Sequence, residues 1–294
     1  MRSPTAVPAW TLALGAVFSV QLAAALSVDL IAEVGPAGTA WLRLTAGSLI
    51  FLALARPPLR EIRRHDVPGL LALGITSGLM GVAFLAAIER IPLGTAVAIE
   101  FLGPLAVAAF RSHSRRALLW PAAALSGVIL LTEPWLGTID GVGVAWAAGA
   151  GIGWGTYILL TQRIGDRFTG IKGLTLTVPI AAITTAIVGV PQAAGHLTPT
   201  VILTSVGLAL LFPVATFALE MAALRRITHT AFGTLMALEP AAGVLLGLVV
   251  LHQKPTVIQV LGIALVILAG AAAQFGGRRP PRDRADQCDH RSVA

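Results

Sequence analysis

The chain has 294 residues, of which 56% are hydrophobic and only 12% are charged, and its mean hydropathy is +0.82. Soluble domains carry about 25% charged residues, so this composition excludes an ordinary soluble protein and predicts an integral membrane protein. The net charge of +7 does not indicate nucleic-acid binding, because the basic residues cluster between apolar runs, and the lone Cys288 allows no intrachain disulfide.

Apolar runs separated by Gly, Pro and charged residues predict ten transmembrane helices. Several runs reach about 20 residues, which is enough to cross roughly 30 Å of hydrocarbon. The first run is longer than the core of a secretory signal, and nine more runs follow it, so we interpret it as a helix of the mature protein. The predicted spans are 9–30, 37–55, 67–88, 92–110, 117–132, 141–162, 171–190, 199–221, 230–251 and 256–276.

The basic residues lie mainly on one side of this arrangement. With a cytoplasmic N-terminus, every Lys and Arg except Arg43, Arg90 and Lys254 falls in a cytoplasmic segment. Cytoplasmic loops of membrane proteins carry this excess. The bias predicts a multi-pass protein of the inner (cytoplasmic) membrane with both termini cytoplasmic. Residues 278–294 show no apolar periodicity, and we expect them to form a disordered cytoplasmic tail.

A shift of 136 residues aligns the two halves of the chain. Among the identical pairs are Trp10 with Trp146, Gly15 with Gly151, Arg90 with Arg226, Ile91 with Ile227, Leu102 with Leu238, and Pro104 with Pro240. The shift spans five helices, an odd number, so the second copy would enter the membrane in the opposite direction, as in many secondary transporters. We therefore expect two inverted five-helix repeats, 1–136 and 137–277. Chance matching between two Ala/Leu/Gly-rich halves is the alternative.

Two glutamates interrupt apolar runs. Glu100 lies in AIEFLGPLAVAAF, and Glu239 precedes Pro240 in MALEPAAGVLLG. By ideal helix rise, Glu100 lies about 12 Å from the outer end of its predicted helix and Glu239 about 14 Å from the inner end of its own. A charged carboxylate is costly near the bilayer middle, so each must find a partner or take up a proton. Both are candidates for proton coupling and substrate binding; the alternative is a protonated packing contact.

Arg43 lies at a similar depth, seven residues into the second predicted helix. A guanidinium keeps its proton, so it must face a partner or a wet cavity. It could form a fixed ion pair with Glu100, or it could bind the carboxylate of an amino-acid substrate through two parallel hydrogen bonds. Gln21 in the first helix could bind the same zwitterion, or it could donate a hydrogen bond to a neighbouring helix.

Pro104 and Pro240 remove backbone hydrogen bonds beside the two acids. Such breaks often mark the binding centre of a transporter, although a simple kink is the alternative. Glu220 lies near a helix end, five residues before Arg225, and is interpreted as solvated or paired. The histidines are scattered, and there is no HExxH motif or Cys/His cluster, so we expect neither a metal site nor a cofactor.

Three stretches together resemble a known family. They are IPLGTAVAIEFLGPLAVAAF at 91–110, FALEMAALRRITHTAFGTLMALEPAAGVLLG at 217–247, and GAGIGWGTYILLTQRIG at 149–165. They are similar to the bacterial EamA-type carriers of the drug/metabolite transporter superfamily, and most closely to the inner-membrane threonine and homoserine exporters. The similarity covers nearly the whole chain and fades only in the tail. One departure is that His252-Gln253 replaces the Gly-Glu usual between the last two helices.

The resemblance implies a ten-helix carrier that exports small amino acids by alternating access and is driven by protons. Its partners would then be an amino acid, protons and the lipid bilayer. The alternatives are an EamA-type carrier of another metabolite or drug and a membrane protein that does not transport. An enzyme is not expected, because no catalytic Ser/His or Asp/Asp pair is evident at one depth.

Overall fold

The computed structural model describes residues 8–111, 118–137, 140–164 and 171–276, and every regular element in these ranges is helical. Eight segments are long and apolar enough to cross a membrane, and they are Ala9–Leu54, Val67–Ile88, Leu93–Phe110, Leu119–Leu136, Gly141–Gln162, Ile171–Ala193, Pro199–Leu224 and Ala231–Val249. The described chain is thus an all-helical, multi-pass membrane protein, as its composition predicts. The expected tail at 278–294 lies outside the described residues.

Several of these segments are divided into shorter helices. In chain order the helices are α1 (Ala9–Leu54), α2 (Val67–Ile88), α3 (Leu93–Glu100), α4 (Leu102–Arg111), α5 (Leu119–Thr132), α6 (Gly141–Ile164), α7 (Ile171–Ala193), α8 (Pro199–Ala209), α9 (Thr216–Leu224), α10 (His229–Met236), α11 (Glu239–Val249) and α12 (Val257–Gly276). Short 3-10 turns occupy Leu59–Glu61 and Pro134–Leu136, and a π-helical turn at Leu210–Ala215 separates α8 from α9.

The chain reverses direction inside α1. Gly35 has φ 71° and ψ 169°, a conformation that glycine adopts readily because it has no Cβ. The Arg43 Nη1 atom lies 2.8 Å from Ser27 Oγ although the two residues are 16 positions apart. In a straight helix they would be separated by about 24 Å. The chain therefore doubles back at Gly35, and this sharp kink replaces the open turn expected between 30 and 37.

Two helices are interrupted four residues before a proline. A proline has no backbone N–H and cannot donate a hydrogen bond to the carbonyl four residues earlier. For Pro104 that carbonyl belongs to Glu100, and for Pro240 it belongs to Met236. Glu100 is the last residue of α3, and Met236 is the last residue of α10. The interruptions place the end of α3 and the start of α11 inside the helix bundle.

The structure also divides the helix predicted at 199–221. Phe212 has φ −139° and ψ 120°, far from helical values, and Pro213 follows it. The Leu211 carbonyl in this turn accepts hydrogen bonds from the Thr216 backbone N–H and, in addition, from Ser19 Oγ (2.8 Å) and Thr216 Oγ1 (2.9 Å). The turn therefore joins α9 to α1, and it directs the Phe212 ring toward the middle of the bundle, where it lies beside Arg43.

The helices pack in pairs that leave apolar surfaces on the outside. The most extensive contacts are those between α1 and α7, α2 and α6, and α5 and α12. Large apolar side chains are strongly exposed on the perimeter, and examples are Ile152, Ile183, Ile187, Leu203 and Val257. Such a surface is unfavourable in water but is compatible with lipid tails, which are as apolar as these side chains.

Candidate functional site

A cavity of about 230 Å³ lies among α1, α2, α6, α7 and α9, and the end of α3 and the start of α11 reach it. Drug-sized ligands occupy pockets of roughly 300–1,000 Å³, so this cavity suits a small ligand. The charged and amide side chains that line it are Gln21, Arg43, Glu100, Glu220 and Glu239. A polar cavity within an apolar bundle is the feature expected of a solute-binding site.

The four residues singled out from the sequence line this one cavity. Gln21 and Arg43 come from the two arms of α1, on either side of its kink. Glu100 is contributed by the last residue of α3, and Glu239 by the first residue of α11. Pro104 and Pro240 are not cavity residues; they lie next to it, where the interruptions that they cause position the two acids.

Arg43 is buried, and its guanidinium is only partly satisfied. Its side chain donates through Nη1 to Ser27 Oγ at 2.8 Å and lies 5.4 Å from the centroid of the Phe212 ring. The Nε atom is buried and has no hydrogen-bond partner. No carboxylate of the described residues lies within 4.0 Å of the guanidinium. The fixed ion pair with Glu100 that the sequence allowed is therefore not formed in this structure, and part of the guanidinium stays free for a ligand.

Gln21 adds a second free polar group. The residue is 3% exposed, and its Oε1 atom is buried without a partner. Buried polar groups are normally hydrogen-bonded, and leaving one unpaired costs about 1–3 kcal/mol. Gln21 Oε1 and Arg43 Nε are thus an acceptor and a donor left unsatisfied by the described residues, in two side chains that line one cavity.

The two acids lie at opposite helix ends. A helix N-terminus carries partial positive charge and a C-terminus partial negative charge, and each stabilises an opposite charge by roughly 0.3–1 kcal/mol. This helix-end effect is therefore favourable for a negative charge at Glu239, the first residue of α11, and unfavourable at Glu100, the last residue of α3, but it is small beside the cost of burying a charge. Neither side chain has a hydrogen bond or ion pair with any described residue.

Comparison with known proteins identifies the family. The sequence profile of the EamA-like transporter family matches residues 141–272. The threonine/homoserine exporter RhtA of Salmonella typhimurium is 36% identical over 271 residues, which are 91% of this chain and 91% of the exporter. RhtA of Escherichia coli is 36% identical over 282 residues, 93% of this chain and 94% of the exporter. The chain belongs to the EamA-like transporter family.

Membership of the EamA-like family confirms the resemblance seen in the sequence. It also shows that the chain is a relative of small-molecule exporters and not of enzymes. A solved crystal structure shares its fold, with a TM-score of 0.60 over 90% of this chain and 98% of the other, at 19% identity. Among the described residues, no group of three His, Cys, Asp or Glu side chains could hold a metal ion.

Glu220 is a third carboxylate of the cavity of this EamA-like protein. The sequence suggested a solvated group or a pair with Arg225, because a charge is tolerated near a helix end. In the structure Glu220 lines the cavity, has no hydrogen bond or ion pair with any described residue, and is separate from the exposed Arg225. The sequence position of Glu220 could have indicated that it lines the cavity, because Glu220 lies one helical turn after Thr216, another cavity residue.

Aromatic side chains form part of the cavity walls, namely Phe84, Trp154, Tyr157, Phe212 and Phe217. They come from α2, α6 and the region around α9, so no single stretch of sequence shows the cluster.

The unusual His252-Gln253 pair lies outside the cavity. His252 has φ 55°, a value that glycine adopts more easily than other residues, which explains why glycine suits this position. Gln253 Oε1 accepts a hydrogen bond from the backbone N–H of Leu93, the first residue of α3, at 3.1 Å. An amide oxygen therefore provides the acceptor that a glutamate carboxylate would provide in the more usual sequence.

Proposed function

We propose that this protein is a proton-coupled secondary transporter that exports small amino acids similar to threonine and homoserine across the cytoplasmic membrane. The observation that supports it most is the shared cavity of Arg43, Gln21, Glu100 and Glu239, in which Arg43 has no ion pair with any described residue. An amino-acid zwitterion offers a carboxylate to the Arg43 guanidinium and an ammonium to the Gln21 amide oxygen. The exporters that resemble the chain are named for threonine and homoserine.

The architecture of the proposal is ten spans in two inverted repeats, 1–136 and 137–277. The doubled-back α1 counts as two spans, since its 46 residues would form a straight helix of about 69 Å, twice the hydrocarbon thickness. The interrupted pairs α3/α4, α8/α9 and α10/α11 each count as one. The ends of α3 and α10, Glu100 and Met236, are related by the same 136-residue shift as Pro104 and Pro240, which supports the repeat.

Both termini are cytoplasmic in this proposal, because the loops on that side hold most of the basic residues. The cavity alternates between the two sides when the two repeats move against each other. The volume of the cavity limits the substrate to a small molecule.

Arg43 is the proposed carboxylate-binding residue. The guanidinium is planar and can donate two parallel hydrogen bonds to a carboxylate. Ser27 holds one end of it, and the face lies near the Phe212 ring, so the group is already oriented when the substrate arrives. The Gln21 amide oxygen accepts from the substrate ammonium, and Glu239, where helix geometry favours the ionised form, supports it with a negative charge.

Glu100 is the proposed proton-coupling residue. It lies in the same cavity as Arg43 without pairing to it, and its position at a helix C-terminus disfavours the charged carboxylate. Proton binding at Glu100 therefore changes the cavity charge by one unit at the place where the substrate binds. Glu239 is the second candidate for this role.

A carrier for another metabolite is the second candidate function, and the aromatic walls favour it. Phe, Trp and Tyr side chains bind larger apolar groups than a threonine side chain presents. The substrate of such a carrier would still have to offer an anionic group to Arg43.

The experiment that tests the proposal compares cells with and without the protein. Overexpression should lower intracellular threonine and homoserine and raise tolerance to toxic external levels of each. An Arg43→Ala variant, inserted in the membrane to the same level, provides the control and should abolish both effects. Unchanged retention of both amino acids by the inserted wild-type protein would contradict the substrate assignment.

A further inference from the structure

Gln192 joins the end of α7 to the kink of α1. Its Oε1 atom accepts hydrogen bonds from the backbone N–H groups of Ala37 (2.8 Å) and Gly38 (3.0 Å). These groups begin the second arm of α1, after Gly35, and N–H groups at a helix start have no partner within the helix. Gln192 therefore caps the helical arm that contains Arg43.

Gln253 makes the same kind of contact to the helix that ends in Glu100. Its Oε1 atom accepts from Leu93 N at 3.1 Å, and its own backbone N–H donates to the Gly247 carbonyl at 2.9 Å. Leu93 is completely buried. Because water does not reach this N–H easily, losing the Gln253 amide would leave the donor unsatisfied.

The side-chain amides of Gln192 and Gln253 occupy space that is open because the residues beside them are glycines. A Cβ atom at Gly35 would overlap the Gln192 side chain, and one at Gly247 would lie 2.7 Å from Gln253 Oε1. Both contacts connect the second half of the chain, which contains the glutamines, with the first half, which contains the capped helices.

The two contacts lie at one end of the cavity. Ala40, a cavity residue, comes one helical turn after Ala37, and Glu100 follows Leu93 by seven residues, about 10 Å of helix. In the opposite direction the cavity extends to Leu174 and Glu220, which lie near the start of α7 and the end of α9. In the proposed orientation the glutamines therefore lie between the cavity and the outside.

We propose that Gln192 and Gln253 are positioning residues that hold the outer end of the cavity closed, and that their hydrogen bonds must break before the cavity opens outward. The proposal rests on the proposed function, because only an alternating-access carrier has to open this end. Hydrogen bonds of neutral amides are individually weak, so a transport cycle can break and re-form them.

An ion pair on the same side differs from these contacts. Arg90 and Asp140 meet at 2.9 Å on the surface, and hydrogen bonding from Gly143 N–H, together with Arg90, lowers the pKa of the Asp140 carboxyl. Exposed pairs are weakened by salt. Gln192 is exposed and Gln253 half-buried, but both amides are neutral, so a closure held by their hydrogen bonds should be insensitive to ionic strength.

A thiol probe in the cavity tests the proposal. Ser77 lines the cavity, so Ser77→Cys in a Cys288→Ser background can be labelled with a membrane-impermeant thiol reagent added outside intact cells. Gln253→Ala, which loses one hydrogen bond, should speed this labelling by roughly fivefold; Gln192→Ala, which loses two, should speed it by at least as much, and the double variant should react faster still. Gln192→Glu and Gln253→Glu retain an acceptor oxygen and should stay near the parent rate.

Gln259→Ala is the matched control, because the Gln259 Oε1 atom accepts from Thr256 N at 3.0 Å at the start of its own helix. Its labelling rate should not change. Labelling of the denatured protein measures the total amount of inserted protein. If an alanine variant does not insert, Gln192→Asn or Gln253→Asn, whose side chain is one methylene shorter than glutamine, takes its place. Unchanged outside labelling in all shortened variants would overturn the proposal and leave the glutamines as helix caps only.

Two further readouts separate this proposal from the proposed function. The native Cys288, unmodified, should react only in inside-out vesicles if the C-terminus is cytoplasmic; labelling from outside would invert the orientation and overturn the outer-gate assignment. Absence of amino-acid export by the wild-type protein would contradict the proposed function alone, because the labelling rates do not depend on which substrate is carried.

Discussion

The Ser27 hydroxyl holds one nitrogen of Arg43 at 2.8 Å, across the kink of α1, while the Nε atom of the same guanidinium has no partner among the described residues. One side of the guanidinium is thus anchored within the protein and another is left unsatisfied beside the cavity. This arrangement orients the group without using its full hydrogen-bonding capacity, which is what a preorganised anion-binding residue requires.

Ser27→Ala should weaken substrate binding without abolishing transport. The loss of one anchoring hydrogen bond, worth about 1 kcal/mol, should raise the KM for threonine by roughly fivefold while kcat changes less. Ser48→Ala is the control, because its hydroxyl bonds only the Leu44 carbonyl within its own helix at 2.7 Å. Equal KM values in the wild type and Ser27→Ala would show that Ser27 does not orient Arg43 for binding.

Arg43→Lys should impair export nearly as much as Arg43→Ala. A lysine ammonium is a compact point charge and cannot make the planar, two-pronged contact of a guanidinium with a carboxylate. It would also lose the favourable position beside Phe212, 5.4 Å away. The measurement is the initial rate of threonine efflux from preloaded cells at matched membrane levels. Near-normal efflux in Arg43→Lys would mean that charge alone suffices.

The membrane environment explains how much of the cavity could be predicted from the sequence. Polar groups are costly in the middle of a bilayer, so Gln21, Arg43, Glu100 and Glu239 stand out in apolar runs, and the structure brings all four together. Glu220 does not stand out, because an acid near a helix end is tolerated. Separate helices at 9–30 and 37–55 were expected, but the sharp kink at Gly35, where φ is 71° and a Cβ would overlap the Gln192 side chain, was not evident from the sequence.

The interruption at Phe212 shows a second limit. The apolar run continues across Pro213, so the sequence predicted a single helix at 199–221, although a proline can break a helix. The non-helical Phe212 places its ring beside Arg43, a contact between residues far apart in sequence. Such long-range relationships, including the aromatic walls of the cavity, depend on how helices pack and have no local signal.

Glu220→Gln should change which solutes compete for the cavity. Three carboxyl groups and one guanidinium line it, and Glu220, at the end of the cavity that faces the cytoplasm in our proposal, should repel acidic amino acids. We expect aspartate to inhibit threonine export poorly in the wild type and more strongly in Glu220→Gln. Glu61→Gln removes a surface carboxylate that pairs with Lys172 at 3.1 Å and serves as the control. Identical aspartate inhibition in all three proteins would remove Glu220 from substrate selection.

Glu100→Asp should keep part of the transport activity and change its pH dependence. The carboxyl group survives, but it is one methylene shorter and lies in a different environment at the end of α3. We expect the pH profile of threonine export to move while the substrate range stays the same. An unchanged profile would indicate that protonation of this carboxyl does not limit the cycle.

Glu100→Gln in reconstituted vesicles tests proton coupling, the central claim, most directly. The amide imitates the protonated acid, and Glu239→Gln provides the comparison at the other acid of the cavity. Threonine flux is measured with and without an imposed pH gradient. The account predicts gradient-driven flux in the wild type and none in Glu100→Gln, with threonine binding retained in the variant. Normal gradient-driven flux in Glu100→Gln would contradict it and reduce Glu100 to a packing contact.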